Sequence, residues 1–445
     1  MRTYDKRIGF LVSYQTLIPH GGIGQFAKSF CELMDEHNIK VDIITDKEPK
    51  DNDFVKSLKA NIIAPLEPMS YANHSNIFMY GDTFCYERMA NFRNAIVEAL
   101  EHNLYDAFIC NTYETVQVAS TMGLEDVIQI IAYTHLESQI FNDTKNPFLH
   151  NTNVAMRHQL SIPNIDTGTQ SKFNQLHLDE SSYHLPIPIT EKDLLTEYTG
   201  EREGILFVGR WEEGKNPELF IDLIEQTGLP AKVMTSPNGV KKFEDRLSKL
   251  GIKYDIRASI TGQEKVDFIK SSRIAFNPSI VESYGMAFYE QHIQLPTVVL
   301  ENQRWTKNFN QDFFYTCTKK NMAERVKQLY ESFDKAETWY NLGSLSHANK
   351  QEASVFHKWN QCFSEFEGKK SNSNTAKICN EQTVKLQDYI TGLKRNVICI
   401  DDIRSVLTNK HKFRVIYTEE DTYLSKDPNF EPCSENKVES LFEGL

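Results

Sequence analysis

The 445-residue sequence contains no Cys-x-x-Cys pair, and none of its eight cysteines stands at a zinc-ligand spacing from a histidine. A zinc module and a disulfide framework are therefore not indicated, and reduced thiols in a reducing compartment are expected. Cys110 and Cys399 lie in apolar runs and read as core. No apolar run is long enough to span a bilayer. MRTYDKRIGF leads charges straight into a strand-like segment, so no signal peptide or membrane anchor is in view and a cytoplasmic location is expected. Positive charge is also scarce: 49 Lys and Arg face 61 Asp and Glu, a formal net charge of -12. That balance argues against coating nucleic acid by charge alone, while leaving room for a local basic groove. There is no internal repeat.

What the sequence does contain is a soluble globular composition, 40% hydrophobic and 25% charged. Its length calls for two or three domains. Short β-branched runs (IGFLVSY, VDIIT, DAFICN, VIQIIAYTH, then ILFVGR, AKVMTS, RIAFNPS) alternate with amphipathic stretches such as GQFAKSFCELMDEH. Strands buried on both faces and alternating with helices predict doubly wound parallel sheets. The pattern occurs twice, separated by SSYHLPIPITEKDLLTEYTGEREG, which reads as a connection. GKKSNSNTAK reads as a second linker. The expected division is 1–190, 200–368 and a small α/β appendage with an acidic tail at 377–445.

Ligands of open α/β sheets bind beyond the carboxyl ends of the strands, and four such ends carry candidate groups. Gly21, Gly22 and Gly24 precede a helix, a place where backbone N–H groups hold phosphate. Gly22-x-Gly24-x-x-Ala27 also satisfies a dinucleotide fingerprint, with Asp46 as ribose acceptor, but QTLIPH separates it from its strand. A plain glycine turn is the third reading. Arg210 and Lys215 follow the strand ILFVGR, with Pro217 opening the next helix. They suit a diphosphate on which charge develops, or they pair with Glu212 and Glu213 in a solvated loop. His135 ends an apolar strand and either faces a ligand or caps the strand. In VESYGMAFYE, Glu282 follows a strand, Gly285 lets the backbone turn close to a ligand, and Glu290 lies in the following helix. The two carboxylates suit the two sets of hydroxyls on a nucleotide sugar.

Taken together these segments resemble a family. NPSIVESYGMAFYEQ is similar to the E-x7-E element of retaining GT-B glycosyltransferases, and ILFVGRWEEGKNPELFIDLI to their VGR-x4-K unit. GGIGQFAKSF resembles their N-terminal glycine loop and IIAYTH their histidine-bearing strand. The resemblance runs in order over residues 6–368. It implies two Rossmann-like domains facing across a cleft. It also implies that Glu290 holds the nucleotide ribose, Glu282 the donor-sugar hydroxyls, Arg210 and Lys215 the diphosphate beside Gly21 and Gly22, and that His135 lies near the reacting carbon. Such enzymes use a UDP-sugar, need no metal, retain the α-anomeric configuration and let the departing diphosphate help deprotonate the acceptor. One departure is QHIQLPTVV, which stands where the family has a small-residue turn and alters the base pocket.

AYTHLES and AKVMTSPNGVKKFEDRLSKLGIKYDI are further similar to the DNA α-glucosyltransferases of T-even-type bacteriophages. That resemblance implies duplex DNA containing 5-hydroxymethylcytosine as acceptor, and glucose or a pentose such as arabinose as the sugar. Between 385 and 414 seven Lys and Arg stand against three Asp, a surplus suited to phosphates or to an ordinary solvated surface. The alternatives are a glycosyltransferase acting on a cell-surface glycan or lipid-linked acceptor, an NAD-dependent oxidoreductase, and a noncatalytic nucleotide-sugar- or DNA-binding protein.

Overall fold

A computed structural model describes residues 4–68, 84–133, 185–372 and Thr375, with interruptions within 112–127, 281–284 and 304–310 and at 20, 51 and 366–370. The first half builds β1 (Lys6–Leu11), α1 (Gly22–Glu36), β2 (Ile39–Ile44), α2 (Asp53–Ser57), β3 (Asn61–Ile63), α3 (Phe84–His102), β4 (Ala107–Cys110) and β5 (Gln129–Ala132). Its sheet is parallel in the order β3-β2-β1-β4-β5. β1 is central because both of its faces are apolar: Ile8, Phe10 and Leu11 are fully buried, and so is Cys110 beside them on β4.

The second half builds β6 (Ile205–Val208), α4 (Pro217–Thr227), β7 (Ala231–Thr235), α5 (Pro237–Leu247), β8 (Tyr254–Ala258), α6 (Gly262–Lys270), β9 (Ile274–Asn277), α7 (Met286–Gln294), β10 (Thr297–Leu300), β11 (Tyr315–Cys317), α8 (Met322–Glu331) and α9 (Phe333–Glu365). Its parallel order is β11-β10-β9-β6-β7-β8. Alternation along β6 sends Ile205 and Phe207 into a core with Ile221, Phe243 and Phe276, and Leu206 to the opposite core with Ala275 and Val299. Pro217 opens α4 as the sequence predicts, and Gly228, at φ +65°, closes it.

Both sheets reverse strand order beside their first strand, between β1 and β4 and between β6 and β9. Those are the crevices in which doubly wound folds bind ligands.

The 33-residue α9 ties the halves together. About a third of the way along it Ser344 donates to the carbonyl of His292 at 2.8 Å. Near its end Trp359 packs on Phe30 and Tyr133 of the first half, with ring centroids 4.9 and 5.0 Å away, and donates to the Pro186 carbonyl at 3.0 Å. Beyond α9 the amide of Ser371 donates to the Tyr105 carbonyl at 3.0 Å. The last residues of the span expected as the second unit, 200–368, thus complete the first unit's core. One helix carries apolar side chains for two cores, and no linear break marks the exchange. The appendage expected at 377–445, with Cys399 and the basic surplus, lies outside the described residues. Among the described residues no helix is long and apolar enough to cross a membrane.

Candidate active site

The crevice between β6 and β9 gathers residues from two distant segments. The loop after β6 carries Arg210 and Lys215, and the loop after β9 carries Glu282 and Gly285. Backbone bonds lock the loops together: Ile280 N–H donates to the Gly214 carbonyl at 2.9 Å. Asn216, left-handed at φ +53° where it precedes Pro217, sends its amide toward the Pro278 carbonyl at 3.5 Å. Between them Lys215 Nζ meets Glu282 Oε2 at 2.5 Å, the side chains 19% and 9% exposed.

The other oxygen, Glu282 Oε1, is buried and has no hydrogen-bond partner among the described residues. A buried acceptor without a donor is costly, and a hydroxyl entering the crevice would satisfy it. Gly285 caps the start of α7 at φ +87°, a conformation strained for any side chain, and a Cβ there would sit 3.4 Å from Trp305. Trp305 is itself anchored by donation to the Ser279 carbonyl at 3.1 Å. The turn that places the N-terminus of α7 is therefore fixed from both sides.

The remaining candidates are distributed around this centre. Arg210 is exposed and pairs with Glu212 at 3.0 Å, the solvated-loop arrangement weighed from the sequence. Glu290 lies deeper, 5% exposed, where its Oε1 accepts from Lys265 Nζ and Thr190 Oγ1, each at 2.5 Å. Gly21 caps α1 and Gly22 is its first residue, at the crevice end of the first sheet. The glycine that packing requires there is Gly24, whose Cβ would meet the Ile18 and Thr16 carbonyls at 2.5 and 2.6 Å. His135 lies outside the described residues.

Asp46, the ribose acceptor of the dinucleotide alternative, is fully buried. Its carboxylate accepts from Tyr14 N–H at 3.0 Å and pairs with Arg88 at 3.2 Å. It is committed to the fold. Lys265, Thr190 and Asn216 were not singled out in the sequence. Asn-Pro signals the Asn216 turn, whereas nothing in the local pattern marks Lys265 as a buried lysine.

Among the described residues no group of His, Cys, Asp and Glu is arranged to hold a metal ion. The sequence matches no family model and none of the curated proteins. Solved structures do match. Sucrose-phosphate synthase from Thermosynechococcus elongatus superposes with a TM-score of 0.63 at 11% identity, covering 81% of this chain and 100% of that one. Anabaena HepE in complex with UDP and glucose gives 0.59 at 13% identity, with 81% and 100% covered. TarM gives 0.60 at 11% identity, with 81% and 99% covered. With two parallel, doubly wound sheets and these structural relatives, the chain has the GT-B fold.

Proposed function

We propose that the protein is a retaining glycosyltransferase that moves glucose or a pentose from a UDP-sugar to the hydroxymethyl group of 5-hydroxymethylcytosine in duplex DNA. The observation that carries the enzyme class is the Lys215–Glu282 pair at the β6/β9 crevice, with one carboxylate oxygen left for a ligand. Among the structural relatives HepE was solved with UDP and with UDP-glucose, which supports a nucleotide-sugar donor.

In this reading Lys215 and Arg210 face the diphosphate, and Arg210 leaves Glu212 to do so. Glu282 accepts from hydroxyls of the donor sugar, Gly285 lets the backbone approach it, and Glu290 accepts from the ribose. The bond between the anomeric carbon and the diphosphate oxygen breaks, and the acceptor oxygen bonds to that carbon on the same face. The acceptor proton passes to the departing diphosphate. Lysine and arginine neutralise the charge that develops on the leaving group, so transfer proceeds in a chelator. His135 and the Gly21–Gly22 loop complete the site from the first half.

The DNA acceptor rests on the similarity of AYTHLES and AKVMTSPNGVKKFEDRLSKLGIKYDI to phage DNA glucosyltransferases and on the basic surplus between 385 and 414. Incubation with UDP-glucose or UDP-arabinose and hydroxymethylcytosine duplex, followed by digestion to nucleosides and mass spectrometry, tests it. A mass gain on the modified cytidine is expected, its size separating hexose from pentose. UDP release with glycan acceptors but no gain on DNA would keep the enzyme and remove the acceptor. No release with any acceptor would remove the enzyme.

A further inference from the structure

The connection between the halves is gripped at adjacent residues by different elements. Ile189 N–H donates to Glu352 of α9 at 3.0 Å, Glu191 accepts from Gly262 N–H at the start of α6 at 3.0 Å, and Lys192 pairs with Glu36 of α1. Between these, Thr190 donates to the carboxylate that the proposed function gives to the ribose. Lys265 Nζ reaches both, at 2.5 Å from Glu290 Oε1 and 3.2 Å from Thr190 Oγ1. Thr190, Lys265 and Glu290 are 4%, 7% and 5% exposed.

The lysine supplies the countercharge that a buried carboxylate needs. The threonine is a different matter, because a neutral hydroxyl from the connection occupies an acceptor that nucleotide hydroxyls would also use. Every bond that Glu290 makes with its carboxylate to described residues falls on Oε1, so a vicinal ribose diol that engages both carboxylate oxygens finds Oε2 open and Oε1 already taken.

We propose that Thr190 competes with the ribose of the nucleotide for Glu290, so that donor binding releases the interdomain connection at this point. The inference rests on the proposed ribose role of Glu290. Lys265 is the fixed member of the trio, Thr190 the exchangeable one. Thr190 is a positioning residue that reports nucleotide occupancy to the segment joining the two halves, and the exchange costs nucleotide affinity about one hydrogen bond. A static brace made of the same three side chains would have no such link to the ribose.

The test compares UDP with 2′,3′-dideoxy-UDP by calorimetric titration of the wild type, Thr190→Val and Thr190→Ser. Thr190→Val keeps the shape and removes the donor, so it should tighten UDP about fivefold. It should leave dideoxy-UDP unchanged, because that ligand has no ribose hydroxyl to compete, and Thr190→Ser should restore wild-type affinity. In the wild type, amide hydrogen exchange over 187–196 should be faster with UDP than with dideoxy-UDP bound, a readout that needs no variant. Equal effects of Thr190→Val on both ligands, or none on UDP with unchanged exchange, would overturn the competition. Equal wild-type affinity for the two ligands would instead remove the ribose role of Glu290, and absence of UDP binding would remove the donor reading itself; the proposal falls with either.

Discussion

Lys215 Nζ and Glu282 Oε2 lie 2.5 Å apart, although each leaves a different strand of the second sheet. Lys215→Met is expected to lower kcat/KM for transfer by about 10²–10³, the scale for losing one positioned charge at a developing anion. Glu282→Ala should abolish transfer while UDP still binds. The Lys215→Met change also strands a buried carboxylate, so adding Glu282→Gln should recover the melting temperature without recovering activity. Transfer assays, UDP titration and thermal melts on the two single variants and the double variant separate these effects.

Gly285 holds φ at +87°. Gly285→Ala should cost about 1 kcal/mol or more of stability, since the added methyl is strained there and abuts Trp305 and Phe309. A lower urea midpoint checks it, and an unchanged midpoint would show that the turn relaxes freely.

Trp359 is fully buried where α9 crosses to the first half. Trp359→Ala should destabilise by about 3–5 kcal/mol, as large-to-small core changes do. Because its ring packs on Phe26, Phe30 and Tyr133, limited proteolysis should then cut the first half before the second.

Glu352 carries a pH dependence. Burial pushes its carboxyl from 4.5 up to about 7, with Glu36 acting in the same direction and the Ile189 N–H and Lys192 opposing it. The folded state therefore holds this proton more tightly than the unfolded one. The associated stability is full below 4.5 and is lost as pH rises through about 7. Glu352→Gln, which can still accept from Ile189, should match the wild type near pH 4.5 and exceed it at pH 8 by at most about 3 kcal/mol. Thermal melts at pH 5 and pH 8 check the sign; a gap that narrows toward pH 8 would contradict it.

The sheets were legible because their central strands are apolar on both faces, as in IGFLVSY and ILFVGR. β8 was not singled out as a strand because it lies half exposed at the sheet edge, with Tyr254, Arg257 and Ala258 outward. β10 hid inside QHIQLPTVV, read from the sequence only as an altered turn; Pro296 ends the helix and Thr297 starts a fully buried strand. At the site the residue types on the strand ends were legible, since loops at carboxyl ends carry them. Their partners were not. Glu290 meets Lys265 and Thr190 through tertiary packing alone, and the five-residue spacing of Arg210 and Lys215 says nothing of one pairing with Glu212 and the other with Glu282.

The path of α9 bears on recombination. A chimera spliced only at the interdomain connection would inherit a first half from one parent and, through Trp359, Cys362 and Phe363, part of that half's core from the other. The second half can therefore be transplanted between GT-B proteins of this shape only as a segment that ends before the far end of α9, with the terminal turns of that helix returned to the parent whose first sheet they cover.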